Sequence, residues 1–469
     1  MTKTNDSDAH NGSNGTNGTK IDDGITKALC KFVADANYED LGGKSIEKLK
    51  DLITDHIGIS AGAAVVADSS EPFLKAVAAL HGDTGQCTVY TKGKRFSPQY
   101  AGFLNAAFSH SFDFDDTHAA SILHPGATAI PAALAQAELS RCDGKTFLLG
   151  AAVGYEITTR IGRALNFGGY TRGFHNTATA GIFGAVSAIA KIKGLSAAQI
   201  ENAYGLALSQ ASGSMQFLDN GSWNKRLHPG FAVHDAFVVV ALAEAGVLGA
   251  TRPIEGRYGV LHSYSTTSTA ERILEGLGTE WIFTATAMKP FPACRMTHSA
   301  IEIVAGVAQD TDRKPVDAVL VELSPGCFPI VGTEDPNKLQ PKTIVDGQFS
   351  MYFQVAVAWL LGMDVGWRMY ESLADPEVLA WCRKVKVVVN PDVRDLEARV
   401  KFTFADAATR DETIVYPLGE DEHPFSKERV HAKFLGMTEP SYDAKTQRAI
   451  LDAIESIDSH PVADLLALL

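Results

Sequence analysis

Long stretches rich in alanine and glycine recur between about residue 101 and about residue 250, and they constrain the fold more than any other feature of the sequence. Apolar residues in these stretches recur at helical spacing, which is typical of helices packed into a core. Before Trp281 we find no convincing strand pattern. The sequence therefore predicts one domain of about 260 residues, built from helices that pack closely through small side chains.

The pattern changes after Phe283, where short segments alternate apolar with polar residues and are rich in Val, Ile, Phe and Thr. Such alternation indicates half-buried antiparallel strands. From Ser426 onward the spacing is helical again. We therefore predict a mainly α fold, in which residues 25–284 and 419–469 form a large helical domain and residues 285–418 form a smaller α+β lid inserted into it.

Composition narrows the functional classes open to the chain. Its 469 residues are 45% hydrophobic and carry a formal net charge of −13. An acidic protein does not attract nucleic acid or an anionic membrane surface, so we expect neither as a partner. The six cysteines form no CxxC pair, no apolar run reaches the length of a membrane span, and residues 1–24 are polar and predicted to be a disordered tail. These features favour a cytoplasmic protein of two domains.

The segment from His110 to Pro131 concentrates titratable side chains within an apolar stretch. In 22 residues it contains three aspartates and three histidines together with Thr117; the titratable residues are Asp113, Asp115, Asp116, His110, His118 and His124. Carboxylates and imidazoles that are buried together shift each other's pKa values, which is typical of acid–base or metal sites. The alternative is a capped helix end, in which Asp and Thr oxygens cap the helix and HPG forms a turn.

Three further segments carry basic side chains that could bind an anion. Their candidate residues are His175 in RGFHNTATAG, Lys225, Arg226 and His228 in NKRLHPGFA, and Lys289, Arg295 and His298 in KPFPACRMTHS. The first segment precedes a predicted helix start, whose free N–H groups favour a carboxylate, and the second lies on a predicted loop that enters an apolar helix. The third lies at the predicted domain junction, where small-molecule sites are common. By contrast, Glu156 and Arg160 lie four residues apart on a predicted helix and indicate a structural ion pair.

Two short motifs raise the question of a metal. DFDD resembles the acid motif of class II terpene cyclases, and His234–Asp235 resembles the dipeptide of metal phosphohydrolases. Terpene pockets need many aromatic side chains, whereas this chain is 9% aromatic, and no spaced His and Asp partners complete a ligand set. We therefore predict no metal site.

Several motifs together resemble the MmgE/PrpD family. In chain order they are HSFDFDDTH followed by HPG, GYEITTRIGRAL, GFH…AG, NKRLHPGFA, KPFPACRMTHSAIE and GQFSMYFQVAVAWLLG, and the resemblance extends over nearly all of residues 26–469. This family includes 2-methylcitrate dehydratases, cis-aconitate decarboxylases and alkylcitrate dehydratases. The resemblance implies a helical domain built from both chain ends, an inserted α+β lid, a homodimer, and no required metal or organic cofactor.

Carried over by motif position, the resemblance implies an active-site set of Asp113, Thr117, His124, His175, Lys225 and Lys289. We predict that the residues binding the substrate around this set are Arg226, His228, Arg295 and His298. Histidines suit proton transfer near neutral pH, so His124 and His175 are the predicted acid–base pair. Asp113 is expected to orient one imidazole, Thr117 to hold a substrate carboxylate, and the lysines to neutralise the charge of the dianion that forms.

The predicted function is dehydration of a citrate-type polycarboxylate, either a 2-alkylcitrate or 2-methylcitrate. Two departures from the mammalian decarboxylases of the family argue against a decarboxylase. The spacing from Asp113 to His124 is one residue longer, and the lid position of their active-site tyrosine falls near Cys327 or Phe328. Decarboxylation of cis-aconitate to itaconate and isomerisation or epimerisation by the same acid–base pair stay open, as does a non-catalytic helical binding scaffold.

Overall fold

The computed structural model describes residues 24–82, 84–91 and 93–469. Within this range the protein is mainly α-helical, as predicted, whereas the predicted tail of residues 1–24 lies outside it except for Gly24. The helices before the lid are α1 (Ile25–Asp35), α2 (Gly42–Val66), α3 (Ser70–His81), α4 (Pro98–Ser109), α5 (Gly126–Ser140), α6 (Gly144–Leu165), α7 (Gly168–Thr171), α8 (Asn176–Thr179), α9 (Gly181–Lys193), α10 (Ala197–Ala207), α11 (Asn224–Glu244) and α12 (Val260–Tyr264). Short 3₁₀ helices lie at Tyr38–Asp40, Ala119–Ser121, Met215–Asp219, Ala270–Ile273, Ile282–Ala285, Arg295–Thr297, Gly366–Ser372 and Ile457–Ser459.

Close approach between α5, α6 and α9 explains the small residues of this part of the chain. A Cβ atom on Gly154 of α6 would lie 3.0 Å from Cβ of Ala188 and 3.1 Å from Cβ of Ala129. A Cβ atom on Gly184 of α9 would lie 1.8 Å from Oγ1 of Thr158. Glycine at these positions therefore sets the spacing of the helices that surround the candidate site.

The lid residues fold into helices around one sheet. Its helices are α13 (His298–Asp310), α14 (Phe328–Val331), α15 (Pro336–Leu339), α16 (Ile344–Gln348), α17 (Met351–Leu361) and α18 (Pro376–Cys382). Two short strands, β1 (Cys87–Thr88) and β2 (Arg95–Phe96), precede the lid. The strands of the lid are β3 (Val316–Leu323), β4 (Val385–Val389), β5 (Ala398–Phe404) and β6 (Thr409–Ile414). The sheet has the order β4-β3-β5-β6.

Two features of the strands differ from the predictions. Strands β3 and β4 pair in parallel, because helices α14 to α18 return the chain to the end of the sheet from which β3 starts, while the other two pairings are antiparallel as expected. Strands β1 and β2 form an antiparallel pair before Trp281, where we expected no strand. Each spans two residues, which is too short to show an alternating pattern in sequence.

Helix α11 begins earlier than predicted. Lys225, Arg226 and His228 were expected on a loop, but they lie within the first turns of α11, and the helix continues through Pro229 and Gly230. Packing against α4 and α9 carries the helix through this pair of helix-breaking residues. Among the described residues α11 is also the one helix long and apolar enough to cross a membrane, and 56% of its apolar stretch is buried inside the protein, as in an ordinary core helix.

Helices α19 (Lys427–Thr438), α20 (Ala444–Glu455) and α21 (Val462–Leu466) follow the lid. Lys433 of α19 lies 2.7 Å from the carboxylate of Asp55 in α2, and the side chain of Phe434 belongs to the same hydrophobic core as α1 to α11. A second core contains the apolar faces of the sheet and of α13 and α17. Our division into residues 25–284 with 419–469 and residues 285–418 was made from the sequence pattern and stays a prediction.

Candidate active site

The loop between α4 and α5 carries the predicted aspartates, and its backbone is fixed to the start of the lid. Asp113 adopts a left-handed conformation with φ of 52°. Thr117 and Ala287 form an antiparallel bridge, in which their N–H groups donate to each other's carbonyls at 2.9 and 2.7 Å. Because Lys289 follows Ala287 by two residues, this bridge brings its side chain beside Asp113.

Asp113 lies between two lysine ammonium groups. Oδ1 of Asp113 is 2.7 Å from Nζ of Lys225 and 2.7 Å from Nζ of Lys289. Lys289 also donates to the backbone carbonyls of Asp113 at 2.8 Å and Ala293 at 3.0 Å, so its three protons have three acceptors. Within the described part of the chain, Lys225 contacts only this carboxylate and the ring face of Phe349, at 5.0 Å from the centroid. Lys225 therefore keeps donor capacity for a ligand.

The charges of this group are strongly coupled. Burial by itself would raise the pKa of Asp113, but Lys225 and Lys289 outweigh it and hold that pKa well below its usual range. Burial lowers the pKa of Lys289, and Asp113 opposes this shift. The three groups thus form a buried cluster in which the carboxylate is ionised near neutral pH.

Asp115 faces two imidazole rings. Its Oδ2 accepts from Nδ1 of His110 at 2.7 Å and lies 3.4 Å from Nδ1 of His124. Nε2 of His124 lies 3.7 Å from Oδ1 of Asp113, on the side of the lysines. Burial lowers the pKa of His124 to about 4, although Asp115 opposes this shift. His124 is therefore neutral near pH 7, which suits a general base.

His175, at the N-terminal end of α8, forms a triangle of rings with His110 and His124. Its Nδ1 lies 3.0 Å from Nδ1 of His228, and its Nε2 lies 3.0 Å from Oγ1 of Thr177. Burial lowers the pKa of His175 well below its usual range, and the neighbouring His228 and Lys225 add to the effect. The ring centroids of His110 are 4.6 Å from His124 and 5.6 Å from His175. Four histidines and two carboxylates thus form one continuous group.

Several polar atoms of this group are buried without a hydrogen-bond partner among the described residues. They are Nε2 of His110, Oδ2 of Asp113, Oδ1 of Asp115, Oγ1 of Thr117 and Nδ1 of His124. Buried polar groups are paired in most native structures, because an unpaired group costs about 1–3 kcal/mol. A cluster of them in one place therefore indicates a site for a polar ligand.

Two further residues of the predicted segment, Asp116 and His118, bind neighbouring backbone and hydroxyl groups. Asp116 accepts from the hydroxyl of Tyr155 and, at 3.0 Å, from the N–H of Gly126. A Cβ atom on Gly126 would lie 2.4 Å from Oδ2 of Asp116, so the HPG motif needs its glycine. His118 lies 2.8 Å from the hydroxyl of Ser121 and 3.1 Å from the carbonyl of Ile282.

The remaining predicted substrate-binding residues have partners within the protein. Nη1 of Arg226 donates to Asp68 and Ser69, whereas its Nε and Nη2 are buried without a hydrogen-bond partner among the described residues. Arg295 donates to Glu420 at 2.8 Å and to backbone carbonyls at the end of the lid, and its Nη1 lies 3.0 Å from Nδ1 of His298. The structure thus brings together Asp113, Thr117, His124, His175, Lys225, His228 and Lys289. Contact of Arg226, Arg295 and His298 with a substrate stays a prediction.

The spacing of donor atoms alone would allow a metal ion. Nitrogen atoms of His110, His124 and His175 lie within 4.8 Å of one another, as do ligand atoms of Asp113, Asp115 and His124. Two ammonium groups at 2.7 Å from Asp113 would repel a cation there. The chemistry of the donor set therefore favours an anionic ligand.

Two family models match this chain along most of its length. Residues 27–273 match the MmgE/PrpD N-terminal domain, and residues 291–459 match the MmgE/PrpD C-terminal domain. The chain belongs to the MmgE/PrpD family.

Known relatives match this MmgE/PrpD protein along more than nine-tenths of its length. Cis-aconitate decarboxylase of Aspergillus terreus (strain NIH 2624 / FGSC A1156) is 27% identical, with 93% of each chain covered. The cis-aconitate decarboxylase-like protein oryM of Aspergillus oryzae is 27% identical, with 95% of this chain and 97% of oryM covered. Cis-aconitate decarboxylase of Homo sapiens is 25% identical, with 92% of each chain covered.

Sequence reasoning assigned no role to several residues that this MmgE/PrpD protein places in the cluster. His110 and Asp115 were recognised as titratable, but nothing in their spacing showed that their side chains meet. Thr177 links His124 and His175, because its Oγ1 accepts from the backbone N–H of His124 at 3.1 Å. Phe217 packs against His228, with ring centroids 5.9 Å apart, and Phe349 lies beside it. Only the three-dimensional packing of α11 and the lid identifies these neighbours.

Proposed function

We propose that this protein is a lyase that removes water from a citrate-type tricarboxylate, with a 2-alkylcitrate or 2-methylcitrate as substrate. The observation that carries the proposal is the buried group of Asp113, two lysines and four histidines, in which polar atoms are left open to a ligand. Family membership adds support, since the named relatives include enzymes whose names give cis-aconitate as their substrate.

Dehydration needs a base, an acid and a counter-charge. The base removes the proton from the carbon next to a carboxylate, the electrons of that C–H bond form the C=C bond, and the C–O bond breaks. The leaving hydroxide takes a proton from the acid and departs as water. We assign the proton abstraction to His124, which burial holds neutral. We assign the proton donation to His175, whose protonated form, disfavoured by burial in the free protein, is favoured by the negative charge of a bound polycarboxylate.

We assign the counter-charge to Lys225. Its ammonium group has donor capacity left after its contact with Asp113, and its side chain is slightly exposed, whereas Lys289 is fully buried and saturated by protein acceptors. Lys289 then holds Asp113 in place, and the hydroxyl of Thr117 is a further donor for a substrate carboxylate. Preorganised donors of this kind stabilise a developing dianion far better than water does.

An apolar wall beside the histidines supports a substituted citrate. Phe217 and Phe349 have ring centroids 5.9 Å apart, and they flank His228 and Lys225. An alkyl substituent on the substrate would lose contact with water against these rings, at about 25 cal/mol per Å² of buried apolar surface. A substrate made only of carboxylates would gain nothing from this wall.

The second candidate is decarboxylation of cis-aconitate or of an alkyl derivative. It is supported by the names of the relatives, which are cis-aconitate decarboxylases or resemble them. In that reaction a C–C bond to one carboxylate breaks, carbon dioxide leaves, and the resulting carbanion takes a proton from a histidine. The same histidines and lysines would serve it, so the reaction must be measured.

The test is mass spectrometry of products after incubating chelator-treated protein separately with 2-methylcitrate, a longer 2-alkylcitrate and cis-aconitate. Loss of water from a citrate, faster for the longer chain, would support the proposal in full. Loss of carbon dioxide from cis-aconitate would move the assignment to the second candidate. No change in any of the three acids would contradict both.

A pair of lysine variants tests the site assignment. We expect Lys225→Met to lower kcat/KM by about 10² to 10³, the effect of removing one charge-stabilising donor. The matched control is Lys50→Met, because Lys50 is equally buried but contacts Glu455 and Asp458. We expect the control to change kcat/KM less than threefold, and equal losses in both variants would contradict the assignment.

The proposal also covers the partners of the protein. We propose a homodimer in the cytoplasm that acts on a small polycarboxylate without a metal or organic cofactor, and that binds neither nucleic acid nor membrane. Light scattering on the purified protein tests the dimer, and activity after exhaustive dialysis against a chelator tests the independence from metals.

A further inference from the structure

One carboxylate in the cluster has no role in the reaction assigned so far. Asp115 is almost fully buried, and a single oxygen of its side chain faces two imidazole rings. Its Oδ2 is 2.7 Å from Nδ1 of His110 and 3.4 Å from Nδ1 of His124. Both rings present Nδ1 to the same oxygen, so the position of Asp115 constrains the orientation of both rings.

This arrangement specifies where the protons lie. Burial would raise the pKa of Asp115, but His110 and His124 outweigh it and hold the pKa well below its usual range. An ionised carboxylate can only accept, so Nδ1 of His110, which is hydrogen-bonded to it, must carry a proton. Nδ1 of His124 has no hydrogen-bond partner among the described residues, but it lies 3.4 Å from the same oxygen, to which it can only donate. In a neutral imidazole the other nitrogen, Nε2, is then unprotonated.

The two Nε2 atoms face the part of the cluster that is open to a ligand. Nε2 of His124 points toward Asp113 and its lysines, at 3.7 Å from Oδ1. Nε2 of His110 is buried and has no hydrogen-bond partner among the described residues. His110 also stacks on His175 with an angle of 22° between the rings, so fixing His110 helps to fix His175.

We propose that Asp115 is a positioning residue that sets His110 and His124 as Nδ1–H tautomers and stabilises the positive charge on His124 after it takes the substrate proton. The catalytic part of this inference rests on the proposed function. A buried carboxylate that orients an imidazole and stabilises its protonated form does the same work in serine proteases.

The neighbouring Asp116 provides a matched control. It is equally buried and lies one position along the chain, but it is bound by Tyr155 and Gly126 and, among the described residues, forms no hydrogen bond or ion pair with a histidine. Asp115→Asn and Asp116→Asn therefore remove the same atom type from the same loop. In the first variant an amide nitrogen turned toward the rings would force Nδ1 to accept, and an amide oxygen turned toward them would leave His124 without its counter-charge.

We expect Asp115→Asn to lower kcat by about 10² to 10⁴ while KM changes less than threefold, and Asp116→Asn to change kcat less than threefold. A kcat within threefold of wild type for Asp115→Asn would overturn the proposal. Equal losses in both variants would also overturn it, since the effect would then belong to any buried carboxylate of this loop.

A spectroscopic measurement on the free protein keeps the test independent of turnover and of variant folding. Long-range ¹H–¹⁵N spectra of histidine-labelled wild type, assigned with His110→Gln and His124→Gln, report the tautomer of each ring. Protons on Nδ1 of both rings are expected, and a proton on Nε2 of either neutral ring would overturn the proposal. If wild type turns over none of the three acids, the proposed function fails and this spectrum alone decides the role of Asp115.

Discussion

Two buried charge clusters in this protein differ in how completely they satisfy their own atoms. Glu156 and Arg160, on α6, are both fully buried, and Nε of Arg160 lies 2.6 Å from Oε1 of Glu156. The remaining guanidinium nitrogens donate to the carbonyls of Ile273, Glu275 and Glu280, and the carboxylate accepts from two backbone N–H groups. The cluster around Asp113 leaves five buried polar atoms unpaired among the described residues.

We interpret this difference as the difference between a structural cluster and a cluster that binds a ligand. A buried ion pair is tolerated when additional hydrogen bonds satisfy its remaining atoms, as they do around Arg160. Unpaired atoms cost stability, and they persist where a ligand supplies the missing partners. The number of buried polar atoms without a hydrogen-bond partner therefore distinguishes two clusters that look alike in sequence. Variants of residues in each cluster test this distinction.

The largest expected effect is in the functional cluster. His124→Gln removes the proposed base, and we expect kcat to fall by about 10² to 10⁴ with no loss in the free energy of unfolding. The matched control is His118→Gln, because His118 lies on the same loop but pairs with Ser121 and Ile282. The control should lose stability and keep kcat. Steady-state kinetics with denaturant unfolding measures both quantities, and a control that loses kcat equally would erase the distinction.

The next effect lies in the structural cluster. Arg160→Met leaves Glu156 buried without its partner, and we expect the free energy of unfolding to fall by about 3–5 kcal/mol. The folded fraction should keep the kcat of wild type, since the hydrogen bonds of the pair within the described part of the chain go to the backbone of residues outside the Asp113 cluster. Glu156→Gln, which keeps a hydrogen-bonding group, serves if the first variant does not fold. A selective loss of kcat at unchanged stability would place the pair in the mechanism.

The sequence pattern predicted the fold class because apolar residues recur with different periods in helices and in strands. The alanine and glycine stretches gave closely packed helices, and the alternation after Phe283 gave strands β3 to β6. The pattern did not predict the parallel pairing of β3 with β4, because side chains alternate in the same way whichever direction the partner runs. It also placed Lys225 on a loop, since Pro229 and Gly230 usually end a helix, and here tertiary packing prevails.

The sequence predicted which residues belong to the candidate site, but it did not predict which of them contact one another. Residues four apart on one helix must meet, so the Glu156–Arg160 pair was predictable and is confirmed. Lys225 and Lys289 share Asp113 only because the Thr117–Ala287 bridge joins the loop to the lid, and no local pattern encodes that bridge. The proposed roles of these residues stay predictions until the variants are measured.

A smaller effect distinguishes Asp116 from its neighbours through pH. Burial raises the pKa of Asp116 to about 7, although Tyr155 opposes this shift. The folded protein therefore keeps a proton that the unfolded chain releases, so the free energy of unfolding falls as pH rises between about 4 and about 7 and then levels off. The histidines His118 and His124, with pKa values lowered to about 4, give the opposite slope.

Asp116→Asn isolates this contribution, because the histidines are unchanged in the variant. From about pH 5 to about pH 7.5 we expect the variant to gain about 3 kcal/mol relative to wild type, equal to the Asp116 shift over that range. Denaturant unfolding of both proteins at the two pH values measures the change. A constant difference between them would show that Asp116 is ionised throughout and belongs with the aspartates that face histidines.

The smallest expected effect concerns Arg295, for which the sequence predicted substrate binding but the structure shows protein partners. Sequence placed it among the substrate-binding residues, whereas its guanidinium donates to Glu420 and to the carbonyls of Pro417 and Leu418, where the chain leaves the lid. Glu420 lies 125 residues away along the chain, so this partner was not predictable. A guanidinium that is hydrogen-bonded to protein acceptors, like that of Arg160, is expected to be structural. We therefore expect Arg295→Gln to lower the free energy of unfolding by about 2 kcal/mol and to leave KM within threefold of wild type. A tenfold rise in KM at unchanged stability would instead show that Arg295 exchanges Glu420 for a substrate carboxylate, and that hydrogen-bond satisfaction in the free protein does not separate the two kinds of cluster.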